Sequence, residues 1–373
     1  MVRRPALRGV GGGRGGRPVK VAVVDLGTNT CRLLFGEAEG GAVVRRDARE
    51  THVVRLGQGV DQSGRLDGEA AARTRRRLAD YAARIDAYAP ERRLLVATSV
   101  LRDAADGAAF LAAVEGDLGL PYRVIGGEEE ALLAFRGATA GLGRAVVERQ
   151  RGSSLSAGAR TEWHASQGPS TEGRGGPDGP LPTAGAVGAR DVVVVDIGGG
   201  STEFAVGRPG EPPRFVRSLD MGAVRLTERF FAADPPTEAQ WRDAVAFVDD
   251  LLGVALPADL RAAADVLIGV AGTFTTLIAH ELGMRVYDPA RVHGRTLTVA
   301  QIDAAVRLFR ALTSADRRRL PGIQKGREDV ILAGALIARA ACRAFGAPAA
   351  LVSEDDILEG IALWLADGLP PLT

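Results

Sequence analysis

The sequence contains few residues of the kinds that form cross-links or bind transition metals. Its 373 residues include two cysteines, Cys31 and Cys342, and four histidines. Two cysteines are too few for a disulfide framework or a cysteine-based zinc site. The histidines are scattered without the spacing of metal ligands. We therefore expect neither a disulfide-stabilised secreted domain nor a zinc protein.

The chain also lacks long apolar runs and a strong net charge. No apolar run reaches the roughly 18 residues that a membrane span requires. Residues 1–18 combine arginine and glycine without the apolar segment of a signal peptide, so we interpret them as a disordered leader. The formal net charge is +1, so no overall field attracts nucleic acid or a membrane surface. We expect a cytoplasmic protein whose partners include neither nucleic acid nor a membrane.

What the sequence does contain is one strand–turn–strand pattern, twice. Residues 21–36 read "VAVVDLGTNTCRLLFG" and residues 192–207 read "VVVVDIGGGSTEFAVG". In each, an apolar run ends in an acid, and Asp25 and Asp196 are 171 positions apart (196 − 25). Glycines and hydroxyl residues follow before the chain becomes apolar again. The repeat indicates two related domains.

Strand and helix patterns alternate in both halves, which is typical of α/β folds. We predict an N-terminal domain over residues 19–128 and a C-terminal domain over 129–354, with a final helix at about 355–368 that packs back on the first domain. Residues 144–190 are rich in Gly, Ser and Pro without apolar periodicity, so we interpret them as a disordered insertion. Residues 326–345 predict a buried helix.

The residue types in the two turns are those that bind phosphate. "GTNT" and "GGGST" offer backbone N–H groups and hydroxyls, and glycine lets the backbone curl around an anion. A third turn of this kind, "GVAGTFTT", covers residues 269–276. A carboxylate at the end of a strand, such as Asp25 or Asp196, holds Mg²⁺ directly or through water. An ordinary β-hairpin would account for one copy, but the repetition favours a phosphate-binding cleft.

These motifs resemble those of the exopolyphosphatase/guanosine pentaphosphate phosphatase family, which has the actin–Hsp70–sugar kinase superfold. "DLGTNTCRLL" is similar to the first phosphate motif of the family, and "DIGGGSTEF" matches the second. The blocks "ATSVLRDA", "VIGGEEEALLAF", "GVAGTFTTL" and "LPGIQKGREDVILAGA" follow the family order. The resemblance runs from residue 19 to about 368, apart from the insertion. It implies an α/β fold of two related actin-like (ribonuclease H-like) domains that face a central cleft, as in short actinobacterial-type members.

The resemblance also implies roles for acidic residues. Aligning "GGEEEA" on the family motif places the catalytic carboxylate at Glu129, with Glu130 beside it, although acids there also stabilise a helix N-terminus. Glu203 falls where the first copy has Arg32, and it would hold Mg²⁺ or orient water unless it faces outward. The predicted catalytic residues are Glu129, Glu130 and Glu203, and the predicted ligands of Mg²⁺ or another divalent cation are Asp25, Asp196 and Glu203.

The phosphate ligands are predicted from the turns and from two arginines. Arg32 and Arg102 are candidates to neutralise phosphate oxygens, since a guanidinium grips two at once. Arg102 has Asp103 as an alternative partner, and Arg327 in "KGRED" is a further candidate of the same kind. The predicted phosphate-binding residues are Gly27, Thr28, Asn29, Thr30, Arg32, Arg102, Gly198, Gly199, Gly200, Ser201, Thr202, Gly272 and Thr273.

The sequence therefore predicts a phosphohydrolase that releases terminal phosphate from inorganic polyphosphate by Mg²⁺-assisted attack of water on a phosphoanhydride. Guanosine pentaphosphate is the alternative substrate, although Phe274 in the third turn would narrow a pocket for a nucleotide base. A small-molecule kinase of the same superfold and a non-catalytic polyphosphate or alarmone sensor are further alternatives. The resemblance also implies a homodimer.

Overall fold

The computed structural model describes residues 17–152, 190–261 and 265–368. The predicted leader lies outside these residues except for positions 17 and 18, and the predicted insertion lies outside them from 153 to 189. Residues 144–152 were expected in the insertion, but they continue a helix that begins at Gly127. Their sequence, "RAVVERQRG", consists mainly of helix-forming residues, and the Gly- and Ser-rich composition starts only after it.

The first β-sheet is built on the first copy of the repeated pattern. Its strands are β1 (Val19–Leu26), β2 (Thr30–Glu39), β3 (Ala42–Val53), β4 (Arg92–Ala97) and β5 (Tyr122–Val124). Their spatial order is β3-β2-β1-β4-β5. Strands β1, β2 and β3 form an antiparallel meander, whereas β1, β4 and β5 run parallel.

The second sheet repeats this arrangement around the second copy. Its strands are β6 (Val192–Ile197), β7 (Thr202–Gly207), β8 (Phe215–Leu219), β9 (Val266–Val270), β10 (Arg295–Thr298) and β11 (Ala349–Val352). Their spatial order is β10-β11-β9-β6-β7-β8. Counted from β8, five strands have the order and directions of the first sheet, and β10 adds an antiparallel edge. The predicted α/β fold with two related halves is confirmed.

Helices connect and cover the strands of both sheets. In the first half they are α1 (Val60–Ser63), α2 (Gly68–Tyr88), α3 (Ser99–Asp103), α4 (Gly107–Leu118) and α5 (Gly127–Gly152). In the second half they are α6 (Ala223–Phe230), α7 (Glu238–Ala255), α8 (Ala258–Arg261), α9 (Ala271–Glu281), α10 (Pro289–Val292), α11 (Val299–Ala311), α12 (Ser314–Arg317), α13 (Ile331–Ala344) and α14 (Ile357–Ala366). No helix within the described ranges has the length and apolar character needed to cross a membrane.

Local sequence explains several helix boundaries. Asp67 caps α2, and Thr237 and Thr298 form capping boxes at the starts of α7 and α11. Helix α13 starts at Ile331, five residues later than the predicted start at 326. Gly326 has a φ of 89°, a left-handed conformation that does not continue into a helix. The residues between therefore form turns beside the cleft.

Helices α5 and α14 join the two halves. Phe135 of α5 packs with Val192 and Val194 of the second sheet, whereas Ile361 of α14 packs with Val21 of the first sheet. The two helices cross so closely that a side chain at Gly360 would collide with the carbonyl of α5 beneath it. This contact leaves the turns after β1 and β6 facing each other.

Candidate active site

The two repeated patterns form turns with the same backbone hydrogen bond. In the first turn the N–H of Gly27 donates to the carbonyl oxygen of Thr30 at 2.9 Å. In the second turn the N–H of Gly198 donates to that of Ser201 at 3.0 Å. Both donor and acceptor are 171 positions apart between the copies (198 − 27 and 201 − 30). The similarity seen in the sequence is therefore also a similarity of backbone structure.

A cavity between the sheets is lined by all three predicted phosphate turns. It encloses about 750 Å³, including space open to solvent. The predicted site residues that line it are Asp25, Gly27, Thr28, Asn29, Thr30, Arg32, Glu130, Asp196, Gly198, Gly199, Gly200, Ser201, Gly272 and Thr273. Those outside its lining are Arg102, Glu129, Thr202 and Glu203.

The two turns are in contact beside this cavity. The hydroxyl oxygens of Thr28 and Ser99 lie 3.0 Å apart. A Cβ atom at Gly199 would lie 3.0 Å from the Cβ of Thr28, and one at Gly200 would lie 2.7 Å from the Thr28 Oγ1. Both positions therefore require glycine for close approach. Backbone N–H groups and hydroxyls from both halves consequently converge on one small space.

Glu130, rather than Glu129, faces the cavity. Glu129 accepts a hydrogen bond from the Gly126 N–H at 2.9 Å and another from Arg123. Glu130 lines the cavity, and its buried Oε2 has no hydrogen-bond partner among the described residues. Successive helix residues point roughly 100° apart, so adjacent acids cannot face the same cavity equally. These contacts disagree with the prediction of Glu129 as the catalytic carboxylate and favour its neighbour.

The acid of the first turn already has a cation as its partner. Arg32 lies opposite Asp25 on the neighbouring strand. Its Nε donates to Asp25 Oδ2 at 2.7 Å, its Nη2 lies 2.6 Å from the same oxygen, and its Nη1 donates to Asp356. Arg32 was predicted to bind phosphate and Asp25 to bind a metal ion. Both residues line the cavity, but the guanidinium is already shared between two buried carboxylates.

The second turn places an acid where the first has Arg32. Glu203 lies opposite Asp196, and both are buried. Its Oε1 accepts a hydrogen bond from Ser218 Oγ at 2.7 Å, while its buried Oε2 has no partner among the described residues. Although Glu203 does not line the cavity, the predicted outward-facing alternative is wrong.

The buried carboxylates of Glu130, Asp196 and Glu203 therefore lie together, and none of them forms an ion pair with a described residue. Burial and then the Glu203 carboxylate raise the pKa of Glu130, with Asp196 adding to the effect. Burial and Glu203 likewise raise the pKa of Asp196. Burial raises the pKa of Glu203 to about 7. Such crowding favours either a bound proton or a cation.

Two predicted phosphate ligands have other partners. The hydroxyl of Thr202 is buried and donates to the carbonyl oxygen of Met221. Arg102 donates to the carbonyl oxygen of Ile125 at 3.1 Å, and its Nε lies 3.7 Å from a carboxylate oxygen of Asp103. Both side chains are thus engaged in contacts that hold the site together rather than in lining the cavity.

Arg327, a further candidate from the sequence, is a cavity-lining cation. Its Nε is buried without a partner, and the described residues offer its guanidinium no hydrogen bond or ion pair. Burial lowers its pKa to about 10, so it is still a cation at neutral pH. A side chain at Gly272 would collide with the guanidinium. The sequence left its role open, because "KGRED" lies in an arginine-rich segment typical of a solvated surface.

The expectation for Phe274 is wrong. Its side chain is fully buried in the core of the second half. A Cβ atom at Gly269 would meet its ring, so the ring fills space under the sheet. Phe274 therefore does not narrow a pocket for a nucleotide base.

The three predicted metal ligands do not form a ready metal site. Within the described ranges, no group of three or more His, Cys, Asp or Glu side chains is arranged to hold a metal ion. Asp25 is not free to bind a metal ion, because its carboxylate pairs with Arg32. Asp196 and Glu203 remain neighbours across β6 and β7.

Comparisons with known proteins agree with this geometry. The model of the Ppx/GppA phosphatase family matches residues 39–155 and 183–367. The chain is 37% identical over 360 residues to Exopolyphosphatase 2 of Mycobacterium tuberculosis, which covers 93% of this chain and 98% of that protein. Among solved structures, an exopolyphosphatase-like protein has a TM-score of 0.78 at 31% identity, covering 94% of this chain and 98% of its own.

The Ppx/GppA enzyme of Aquifex aeolicus has a TM-score of 0.69 at 30% identity, covering 93% of this chain and 99% of its own. The relative and both solved structures each cover more than nine tenths of this chain. From its family match, its relatives and the paired turns of its cleft, we conclude that the chain belongs to the Ppx/GppA phosphatase family.

Proposed function

We propose that the chain is an exopolyphosphatase, which hydrolyses the terminal phosphoanhydride bond of inorganic polyphosphate. The observation that carries this proposal is the position of Glu130, an unpaired carboxylate on the wall of a cavity whose other walls are phosphate-binding turns. The similarity to Exopolyphosphatase 2 of Mycobacterium tuberculosis over nearly the whole of both chains supports polyphosphate as the substrate.

The terminal phosphate would lie between the two turns. Gly199, Gly200, Thr28 and Ser201 line this space, and their backbone N–H groups and hydroxyls are the donors proposed to bind the phosphate. Fixed N–H and O–H donors stabilise the charge on phosphate oxygens without reorganising during the reaction. Arg327, which has no hydrogen-bond or ion-pair partner among the described residues, supplies the positive charge.

Glu130 acts as the general base in this proposal. It accepts a proton from water, the water oxygen forms a bond to the terminal phosphorus, and the bond to the bridging oxygen breaks. The bridging oxygen keeps the electron pair and leaves with the shortened chain. Burial and the neighbouring Glu203 and Asp196 raise the pKa of Glu130, which makes its carboxylate a stronger base than an ordinary glutamate.

Asp196 and Glu203 fit a divalent cation such as Mg²⁺. They are buried cross-strand neighbours, and the Oε2 of Glu203 has no partner among the described residues. Proteins commonly hold Mg²⁺ with one or two carboxylates, the remaining ligands being substrate phosphates and water. When bound, the cation would screen the charge of the phosphate. Asp25 would not take part, because Arg32 occupies it.

The test is phosphate release from short polyphosphate, long polyphosphate and guanosine pentaphosphate with added Mg²⁺. We expect the wild-type protein to release phosphate from polyphosphate and the Glu130→Gln variant to do so about 10²- to 10⁴-fold more slowly. The matched control is Glu129→Gln, which changes the neighbouring acid outside the cavity and should stay within a few-fold of wild type. Full activity in Glu130→Gln would contradict the assignment of the base. Faster release from guanosine pentaphosphate than from either polyphosphate would favour the alternative substrate.

A further inference from the structure

Arg32 is held from two sides by carboxylates that are far apart in the sequence. One is Asp25, its cross-strand neighbour. The other is Asp356, 324 positions later, in the loop before α14. The side chains of Arg32, Asp25 and Asp356 are 12, 4 and 2% exposed. A buried guanidinium with a carboxylate on each side has little freedom to rotate.

Asp356 is itself fixed by three other contacts. Its Oδ1 accepts a hydrogen bond from the Leu358 N–H at 3.0 Å, and its own N–H donates to Glu359 Oε2 at 2.9 Å. These two bonds form the capping box of α14. The remaining oxygen, Oδ2, accepts from Arg49 Nη2 at 3.0 Å as well as from Arg32. The start of α14 thereby presents one carboxylate oxygen at a defined place under the first turn.

We propose that Asp356 is a positioning residue of this phosphohydrolase: through Arg32 it holds Asp25 and the first turn in the arrangement that confines the cation to Asp196 and Glu203. The proposal rests on the function proposed above. Asp356 does not line the cavity, and its hydrogen bond to a lining side chain is the one with Arg32. The family motifs of the two turns do not include it.

The charges explain why a second carboxylate is needed. Arg32 and Asp196 line the same cavity, and against the lowering effect of burial the carboxylates of Asp356, Asp25 and Asp196 raise the pKa of the guanidinium. A guanidinium held by Asp25 alone would be free to turn toward Asp196. It would then neutralise a ligand of the cation and release Asp25 as a competing acid. Asp356 prevents this exchange by binding the Nη1 side of the guanidinium.

The test compares Asp356→Asn with Asp355→Asn. Both residues are buried, both pair with an arginine and both lie in the same loop, but Asp355 binds Arg46 and has no contact with Arg32. We expect Asp356→Asn to lower kcat for polyphosphate about tenfold, with KM within about twofold of wild type. We expect Asp355→Asn to leave both constants within about twofold. Thermal unfolding of the two variants measures how much each loses in stability.

A double-mutant cycle separates positioning from a general structural effect. If Asp356 acts through Arg32, then Arg32→Gln combined with Asp356→Asn should be no slower than Arg32→Gln alone. Losses that multiply, or equal losses of kcat in Asp355→Asn and Asp356→Asn, would overturn the proposal. A wild-type protein that releases no phosphate would overturn the proposed function and this inference with it. An active wild type with an unimpaired Asp356→Asn would overturn this inference alone.

Discussion

The first and second turns have the same backbone hydrogen bond but opposite charges across from their acids. Arg32 faces Asp25 in the first turn, whereas Glu203 faces Asp196 in the second. The first acid is therefore neutralised within the protein, whereas the second belongs to a group of buried carboxylates with no ion pair to any described side chain. One cross-strand position thus separates an acid paired with an arginine from an acid that lies opposite another acid.

The turns also differ in the size of their side chains. The positions of Thr28 and Asn29 correspond to Gly199 and Gly200 in the second copy (28 + 171 and 29 + 171). The Thr28 side chain occupies the space in which side chains of the second turn would lie. The two copies are therefore complementary, and neither sequence could replace the other without loss of the contact between the halves.

The strongest way to break the comparison is to make the second turn resemble the first. In Glu203→Arg, a guanidinium would pair with Asp196 and displace the cation, so we expect phosphate release to fall about 10³-fold or more. Glu203→Gln keeps the shape and should lose about 10²-fold, which guards against an effect of misfolding. Phosphate release and thermal unfolding measure both.

The control for this change is Glu211→Arg, the same substitution at an exposed turn of the same half. It should leave phosphate release unchanged. If Glu203→Arg retained a tenth of the wild-type rate, an acid opposite Asp196 would not be needed for phosphate release, and the comparison of the two turns would be wrong.

A second test removes the support that only the first turn has. Arg49 binds Glu354 and Asp356 and lies 3.3 Å from Glu359. Arg49→Met would leave these carboxylates buried with too little positive charge, so we expect the free energy of unfolding to fall by about 3 kcal/mol. Urea denaturation measures the loss.

Arg45→Met is the matched control for Arg49. Arg45 lies on the same strand but is exposed, and it pairs with Glu37 and Asp47 at the surface. No measurable loss of stability is expected for it. Equal losses in the two variants would show that the buried arginine cluster does not stabilise the first half.

The fold was predictable because its signals are local or repeated. The two apolar strands with their acid and glycine turns appear in the sequence as one pattern 171 residues apart. The helices over 238–255 and 299–311 follow from the spacing of apolar residues, with Thr237 and Thr298 as caps. The late start of α13 was not predictable from periodicity, because the left-handed backbone of Gly326 is incompatible with a helix although the apolar spacing continues through it.

The site was predictable only as far as its turns. Which acid of the "GGEEEA" run faces the cavity depends on the rotation of α5 about its axis. Packing sets this rotation, and Arg123 helps to fix it by binding Glu129. The commitment of Arg32 depends on Asp356, 324 positions away, and no local pattern connects the two. Sequence thus indicates which residues are of a type that binds phosphate, and tertiary structure decides which of them already pair with other side chains of the protein.

A third, smaller effect should follow from filling the space between the turns. Gly200→Ala would force a Cβ against Thr28 Oγ1 and Ser99, so we expect a loss of about 1–3 kcal/mol in the free energy of unfolding. Gly27→Ala in the first turn is the comparison, because its Cβ would lie 3.6 Å from its nearest neighbour, the carbonyl oxygen of Thr30. Thermal unfolding should show a clearly larger shift for Gly200→Ala. Equal shifts would mean that the turns do not pack as closely as the glycines indicate.

The smallest expected effect concerns how the second turn is held against the first half. Helix α6 is bonded to the second turn, since the N–H of Val224 donates to the carbonyl oxygen of Gly199 at 2.9 Å. The next residue, Arg225, reaches the first half, where it lies 2.7 Å from Asp103 and 3.4 Å from Asp61. These pairs are partly exposed, so Arg225→Ala should weaken the association of α6 with the first half by about 0.5–1 kcal/mol.

We expect that cost to appear as a two- to fivefold rise in KM for polyphosphate, with kcat nearly unchanged, because the pairs hold the halves together before and during the reaction alike. Arg229→Ala is the control on the same helix. Its guanidinium lies over the rings of Phe230 and Phe247 and makes no ion pair with the first half among the described residues. A rise in KM of the same size in both variants would mean that the effect comes from a less stable α6 and not from the contact of Arg225 with the first half.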